Sequence, residues 1–422
     1  MISIAELPRP EPGPGHSEGE QLLTRPSRRL LLSGGLVNAG LATSSIFVAL
    51  FFYVVNGSIT GMAVYSVGRY AGLILMSVMV VKAFPSVAPR RLFRCGVGLT
   101  AVFYLMLIVL GRHVASLALP LGVFNGVASG VYWFGSNTLI YDVVGPVERG
   151  RYYGLSFSLL NVFNVAAPLA SGFLIAQVGG EAGYFAVFAM AVLIFSAAWR
   201  TARRLPATGG VGGVSVRGAL ALPFVQTGWA HMWMVVAMRG FKQAAGSLGL
   251  VVLVAMATAS SSAQGEFAAV SALAGVATSV LAGRLAPDRR PRAMWLGAAG
   301  FIAATALLFV RADLAMLLVY GLVAGLAYPA LMVPVSSVVL DVMDADPLCA
   351  ERRGGYILSR EVAVNLGRLV AVALLLALLV LVPATVAVLC VLGAAAVLQL
   401  AVAGLAVEGL SVAAQTRPAL AA

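Results

Sequence analysis

The chain has 422 residues, of which 60% are hydrophobic and only 10% charged, whereas a soluble domain carries about 25% charged residues. That excludes a soluble globular fold and leaves room for many apolar spans of about 20 residues, with no sizeable soluble domain beside them. The net charge of +12 does not indicate a nucleic-acid partner, because the basic residues sit in short segments between apolar runs rather than in one patch.

In chain order, residues 1–29 are rich in Pro, Gly and Glu and lack an apolar core. They read as a disordered cytoplasmic tail and not as a signal peptide. Six apolar runs follow at 30–55, 59–81, 95–111, 115–141, 152–178 and 184–199, predicting an N-terminal bundle over 30–199. Residues 200–240 read as a cytoplasmic linker with a glycine-rich stretch at 209–213. Six further runs at 241–259, 267–285, 293–310, 314–342, 356–382 and 384–407 predict a C-terminal bundle over 241–407, before a cytoplasmic tail at 408–422. Apolar runs this long are helices, because hydrocarbon forces the backbone to satisfy its own polar groups and a barrel strand would alternate. The least regular stretch holds Trp229, His231, Trp233, Arg239, Lys242 and Gln243. Either an interfacial helix with the two tryptophans precedes span 7, or the span starts early and buries two cations. The first is favoured, since Arg and Lys near a helix end can snorkel to the headgroups.

Loop charge supports twelve spans with both termini inside. One set of loops holds Lys82, Arg90, Arg91, Arg94, Arg149, Arg151, Arg200, Arg203, Arg204, Arg217, Arg289, Arg290, Arg292, Arg352 and Arg353. The alternate set holds Arg112 and Arg311, so the first set faces the cytoplasm. Cys95, Cys349 and Cys390 are far apart and three histidines cannot build a metal centre, so no metal and no cofactor is expected.

The two halves resemble each other. Spans 4 and 10 end in Ile140-Tyr141-Asp142 and Val339-Leu340-Asp341, and each is followed by a loop with Pro, Glu and Arg. Placing Tyr152 on Tyr356 brings Asn161 onto Asn365 and Asn164 onto Arg368 without a gap. A duplicated half is how one class of secondary transporter is built.

On these residues the chain resembles the major facilitator superfamily. The run from Asp142 to Gly154 is similar to that superfamily's loop after helix 4. The run from Gly283 to Arg292, with Asp288 and Arg289, is similar to its glycine, aspartate and arginine motif, with Pro287 as an extra residue and Pro291 where glycine is usual. The first-half copy, Lys82 to Arg94, keeps the basic residues and lacks the aspartate. The segment from Ser359 to Arg368 is similar to a run in bacterial members. The resemblance implies an all-α membrane protein of two pseudo-symmetric six-helix bundles, multi-pass in a bacterial plasma membrane. It implies a gating cluster at Asp142, Arg149, Arg151, Asp288, Arg289 and Asp341, where a carboxylate at a helix end can pair with arginines in one conformation and release them in another. The alternative is that the arginines only set orientation.

Ionisable groups inside spans cost at least ~2.5–3.5 kcal/mol each and need a reason. Arg69 lies roughly 15 Å into span 2, and Arg368 near the middle of span 11. Glu361, Asn365 and Arg368 stack on one face of span 11. Asn125 and Ser129 on span 4, with Asn161 and Asn164 on span 5, extend the polar lining of a cavity between the halves. In one reading Arg69 and Arg368 hold a substrate anion and Glu361 carries a coupling proton; in the other these groups pair and pin helices together. Gly154 and the run from Ala167 to Gly172 are similar to a degraded form of the antiporter motif, which leans towards export. The expected function is secondary transport of a small solute, driven by protons or by the solute's own gradient, by a monomer in the bilayer. The alternatives are a transporter-like sensor or scaffold, and an enzyme acting on a lipid-linked substrate, for which no acid pair or nucleophile with a base is visible.

Overall fold

The computed structural model describes residues 23–56, 59–210, 215–258 and 261–416. Most of the expected N-terminal tail, the centre of the linker glycines and the last six residues lie outside them. Among the described residues the only regular structure is helical: α1 (Arg25–Asn56), α2 (Ile59–Ala83), α3 (Pro89–Leu110), α4 (Ala118–Val143), α5 (Arg149–Val178) and α6 (Gly180–Thr201), then a short linker helix α7 (Val216–Val225). The second half holds α8 (Thr227–Thr258), α9 (Ser261–Gly283), α10 (Arg290–Val310), α11 (Leu314–Asp344), α12 (Cys349–Leu381) and α13 (Ala384–Thr416). Span 7 of the sequence is therefore α8, and span 11 is α12. Among the described residues, 9 segments are long and apolar enough to cross a membrane.

Each packing pair of the first half recurs in the second. Helix α2 packs on α4 as α9 packs on α11, α1 on α5 as α8 on α12, and α3 on α6 as α10 on α13. Between the halves, α5 meets α9 as α12 meets α2, and α5 meets α11 as α12 meets α4. A duplicated sequence buries its apolar faces in the same way twice, giving two six-helix bundles. Small residues allow the closest crossings. A Cβ on Gly126 of α4 would overlap the Arg69 carbonyl of α2, and one on Gly367 of α12 would overlap the Ala237 carbonyl of α8.

The expected break before span 7 does not occur. Helix α8 runs unbroken from Thr227, and Trp229 is buried, donating from Nε1 to Ser359 Oγ at 3.0 Å. Tertiary packing on α12 holds Trp229 inside the protein, so the interfacial reading gives way and Lys242 comes to lie about 22 Å along the helix.

Both described ends lie on the face that carries the basic loops. The Thr24 amide donates to Glu148 Oε2 at 2.9 Å in the α4–α5 loop, and Glu148 Oε1 accepts from Ser27 Oγ at 2.6 Å. Near the end of α13, Glu408 Oε2 lies 3.7 Å from His231 Nε2 at the start of α8.

Candidate functional site

Two layers of polar groups lie between the bundles. The first closes the basic face. Arg149, in the first turn of α5, is buried, and its Nη1 lies 2.8 Å from Asp341 Oδ1 and 2.7 Å from Asp344 Oδ2 at the end of α11. Arg290 Nη1 approaches the other oxygen of Asp341 at 3.8 Å. In mirror fashion, Arg353 near the start of α12 donates from Nη1 to Asp142 Oδ1 at 3.0 Å at the end of α4. The offset that places Tyr152 on Tyr356 also places Arg149 on Arg353. The carboxylate of each half is thus held by the equivalent arginine of the other.

Arg353 also ties down the linker, donating from Nη2 to the Gly209 carbonyl at 2.8 Å and to the Gly210 carbonyl. A cavity of about 550 Å³ opens beside these pairs, lined by Tyr141, Asp142, Thr208 and Asp344 among others. Tyr141 donates its hydroxyl to Cys349 Sγ at 3.1 Å. Cys349 precedes the apolar segment Glu351–Leu381, and burial pushes its thiol up to about 12.

Of the six expected gating residues, Asp142, Arg149 and Asp341 meet in this layer. Arg151 is half-buried and interacts with other groups. Asp288 and Arg289 are exposed in the turn before α10, and it is their neighbour Arg290 that reaches Asp341.

The second layer lies deeper. Glu361 on α12 is buried, and its Oε1 accepts from Asn137 Nδ2 of α4 at 2.5 Å. One turn on, Asn365 Nδ2 donates to the Glu361 carbonyl at 2.8 Å, and Asn365 Oδ1 accepts from Arg368 Nη1 at 2.8 Å. Arg368 also donates from Nη2 to Gln243 Oε1 on α8 at 2.7 Å, and its guanidinium lies 5.8 Å from the Tyr70 ring centre on α2. The stripe read from the spacing of four and three is one connected chain, and it touches both bundles.

The other expected polar residues divide. Asn125 donates from Nδ2 to the Tyr65 hydroxyl of α2 and accepts from Ser129 Oγ at 3.3 Å, all within the first bundle. Asn161 Nδ2 of α5 donates to Ser279 Oγ of α9 at 3.3 Å, while Asn164 is exposed. Arg69 is half-buried beside Tyr70, and its Nε is buried without a hydrogen-bond partner. Sequence reasoning left out Asn137 and Gln243, which complete the chain, and Tyr70, Phe157 and Tyr328, whose rings face cations. Gln243 had a signal, standing four residues from Arg239 in the stretch read as interfacial; the aromatic partners had none.

The family model described as Major Facilitator Superfamily matches residues 30–339. A relative in Bacillus subtilis (strain 168), the uncharacterized protein YqgE, is 25% identical over 344 residues, covering 81% of this chain and 80% of that protein. A second, from Geobacillus stearothermophilus and described by its place in the sodM 3′ region, is 26% identical over 170 residues, or 40% of this chain and 79% of that one. Among solved structures, a bacterial homologue of the iron transporter ferroportin in an outward-facing state superposes with a TM-score of 0.69 at 16% identity. The human organic anion transporter MFSD10 does so with a TM-score of 0.66 at 14% identity. Each of these two alignments covers 92% of this chain and 100% of the other, and at such identities they speak for the fold. The chain is a multi-pass membrane transporter belonging to the major facilitator superfamily.

Proposed function

We propose that this transporter moves a small organic anion across a bacterial plasma membrane by alternating access, as a monomer with both termini in the cytoplasm. The observation that carries the reading is the α12 chain, in which Asn137, Glu361, Asn365, Arg368 and Gln243 join both bundles. A solute that displaces part of this chain alters the contact between halves, which is what a rocking mechanism requires. Arg69 and Arg368 favour a negative solute, and one structural neighbour is named as an organic anion transporter. The relatives in Bacillus and Geobacillus support a bacterial membrane, and the basic face is cytoplasmic by the charge rule. In this reading the closed basic face corresponds to an outward-facing state, the state in which the ferroportin homologue was captured.

In this reading Glu361 carries a coupling proton, because its carboxyl is buried where the bundles meet and accepts from Asn137 of the other bundle. The antiporter-like glycines and Pro168 of α5 lean towards export. The test is transport in proteoliposomes under imposed proton gradients. Glu361→Gln is expected to lose proton-driven accumulation and keep exchange; equal loss of both would make Glu361 a structural pair. Absence of flux under every gradient, with ligand-induced stabilisation intact, would leave a sensor.

A further inference from the structure

Charge balance and ring placement between the bundles bear on the chemistry of the solute. Five cations stand on helices near the contact between the bundles: Arg69 on α2, Arg239 and Lys242 on α8, and Arg360 and Arg368 on α12. Among the described residues Glu361 is the acidic group that acts on Arg368, and no acidic group acts on Lys242. Glu361 already accepts from Asn137 and lies within electrostatic reach of Arg239, Arg360 and Arg368. One carboxylate therefore serves several cations.

The cations meet rings instead. Arg239 lies 5.9 Å from the centre of Phe157 on α5. Lys242 Nζ lies 3.5 Å from the centre of Tyr328 on α11 and 5.1 Å from that of Phe301 on α10. A cation–π contact is worth about 0.5–2 kcal/mol, which is less than the cost of holding a cation within a span. The rings do not replace a counter-ion. The Arg239 Nε is buried with no hydrogen-bond partner, although the residue as a whole is half-buried. Helices α8 and α12 are close enough here that a Cβ on Gly240 would overlap the Val364 carbonyl, and Arg239 lies within electrostatic reach of both Lys242 and Arg368.

We infer that Arg239, Lys242 and Arg368 form one anion site whose ligand is an aryl-bearing organic anion, its charged group held by the cations and its ring placed among Tyr70, Phe157 and Tyr328. Phe157 and Tyr70 belong to the first bundle and the cations to the second, so the ligand joins the halves. The inference rests on the cleft being the solute's path.

The probe is naphthalene-2-sulfonate, compared with methanesulfonate, which has the charge without the ring, and with a naphthylmethyl-trimethylammonium salt, which has the ring with opposite charge. Naphthalene-2-sulfonate is expected to raise the melting temperature of the purified full-length protein in proportion to the logarithm of its concentration, and neither control should match it. Lys242→Gln and Arg239→Gln should each weaken its apparent affinity about tenfold or more, while Lys242→Arg retains most of it. Removing an uncompensated cation should leave the ligand-free melting temperature of Lys242→Gln unchanged or raised; a clear fall would make the lysine structural and overturn the site. Equal stabilisation by methanesulfonate, or by the cation, would overturn the ligand class. Binding with this residue dependence but no exchange in proteoliposomes would uphold the site and reject the transport reading.

Discussion

The basic face and the middle of the cleft hold similar residues in opposite states. At the basic face every arginine of the layer has an acid: Arg149 has Asp341 and Asp344, and Arg353 has Asp142 and two linker carbonyls. In the middle, Arg239 and Lys242 face rings, and one glutamate is shared. Matched pairs hold a conformation and are costly to break singly, since the abandoned partner stays buried. Cations that share one carboxylate and otherwise face rings are not locked to each other in this way. In the reading proposed above, the first arrangement suits a gate and the second a binding site, although arginine contributes to both.

The largest effect should come from Arg368→Ala. It removes the donor to Asn365 and Gln243 and the contact to Tyr70 in one change. Counterflow of naphthalene-2-sulfonate should fall to background with insertion normal. Near-normal flux would dissolve the distinction between the two layers, because the middle would then be structural as well.

Next in size is Arg149→Gln. The Arg149 side chain is 3% exposed, and stranding a buried acid costs about 3–5 kcal/mol. Arg290 can take up part of that burden from Asp341. The expected result is a shift towards an open basic face, reported by Cys349 in a background with Cys95→Ser and Cys390→Ser. Held up to about 12 by burial, the thiol of the closed state is almost wholly protonated at pH 8. A released thiol near the usual ~8.5 is roughly a quarter thiolate there. Maleimide labelling at pH 8 should therefore accelerate by up to about a thousandfold. The sign also shows in the pH profile: the closed form gains rate up to pH 12, and the open form levels off above pH 9. Equal labelling of variant and parent would remove Arg149 from the gate.

Arg353→Gln should act in the same direction and less strongly. Its side chain is 18% exposed against 3% for Arg149, so its removal opens a path for solvent to the abandoned carboxylate, although Asp142 itself is as buried as Asp341. An effect of about 1–2 kcal/mol is expected, read by the same labelling. A larger effect than that of Arg149→Gln would mean that the linker contacts at Gly209 and Gly210, rather than the ion pair, hold the face shut.

Much of the ion-paired layer at the basic face was legible in the sequence because both halves repeat it. Asp142 and Asp341 end equivalent spans, and Arg149 follows in a loop motif, so duplication pointed to a shared role. The α12 stripe was legible because helical spacing alone puts Glu361, Asn365 and Arg368 on one face. The start of α8 was misread because snorkelling and burial give the same sequence near a helix end; α8 runs unbroken from Thr227 with Trp229 packed on Ser359, which is a tertiary contact. Periodicity on α4 could not tell which neighbour Asn125 meets, and Tyr65 of α2 takes it inside the first bundle. Partners contributed by another helix leave no trace in the spacing of their own.

The smallest effect belongs to Asp288, and it tests the motif against the geometry. The loop motif that suggested family membership also nominates this aspartate and Arg289 for the gate. Both are exposed before α10, and the cation that reaches Asp341 is Arg290, one residue further on. The extra Pro287 displaces the register by one position, which offers a reason for the exchange of roles. A surface charge away from buried partners is worth within about 0.5 kcal/mol. Asp288→Asn should accordingly leave Cys349 labelling within about twofold of the parent, while Arg290→Gln should raise it by loosening Asp341. If Asp288→Asn opened the face as far as Arg149→Gln does, pairing in this one conformation would be a poor guide to the gate, and the aspartate would have to find its arginine in the other half of the transport cycle.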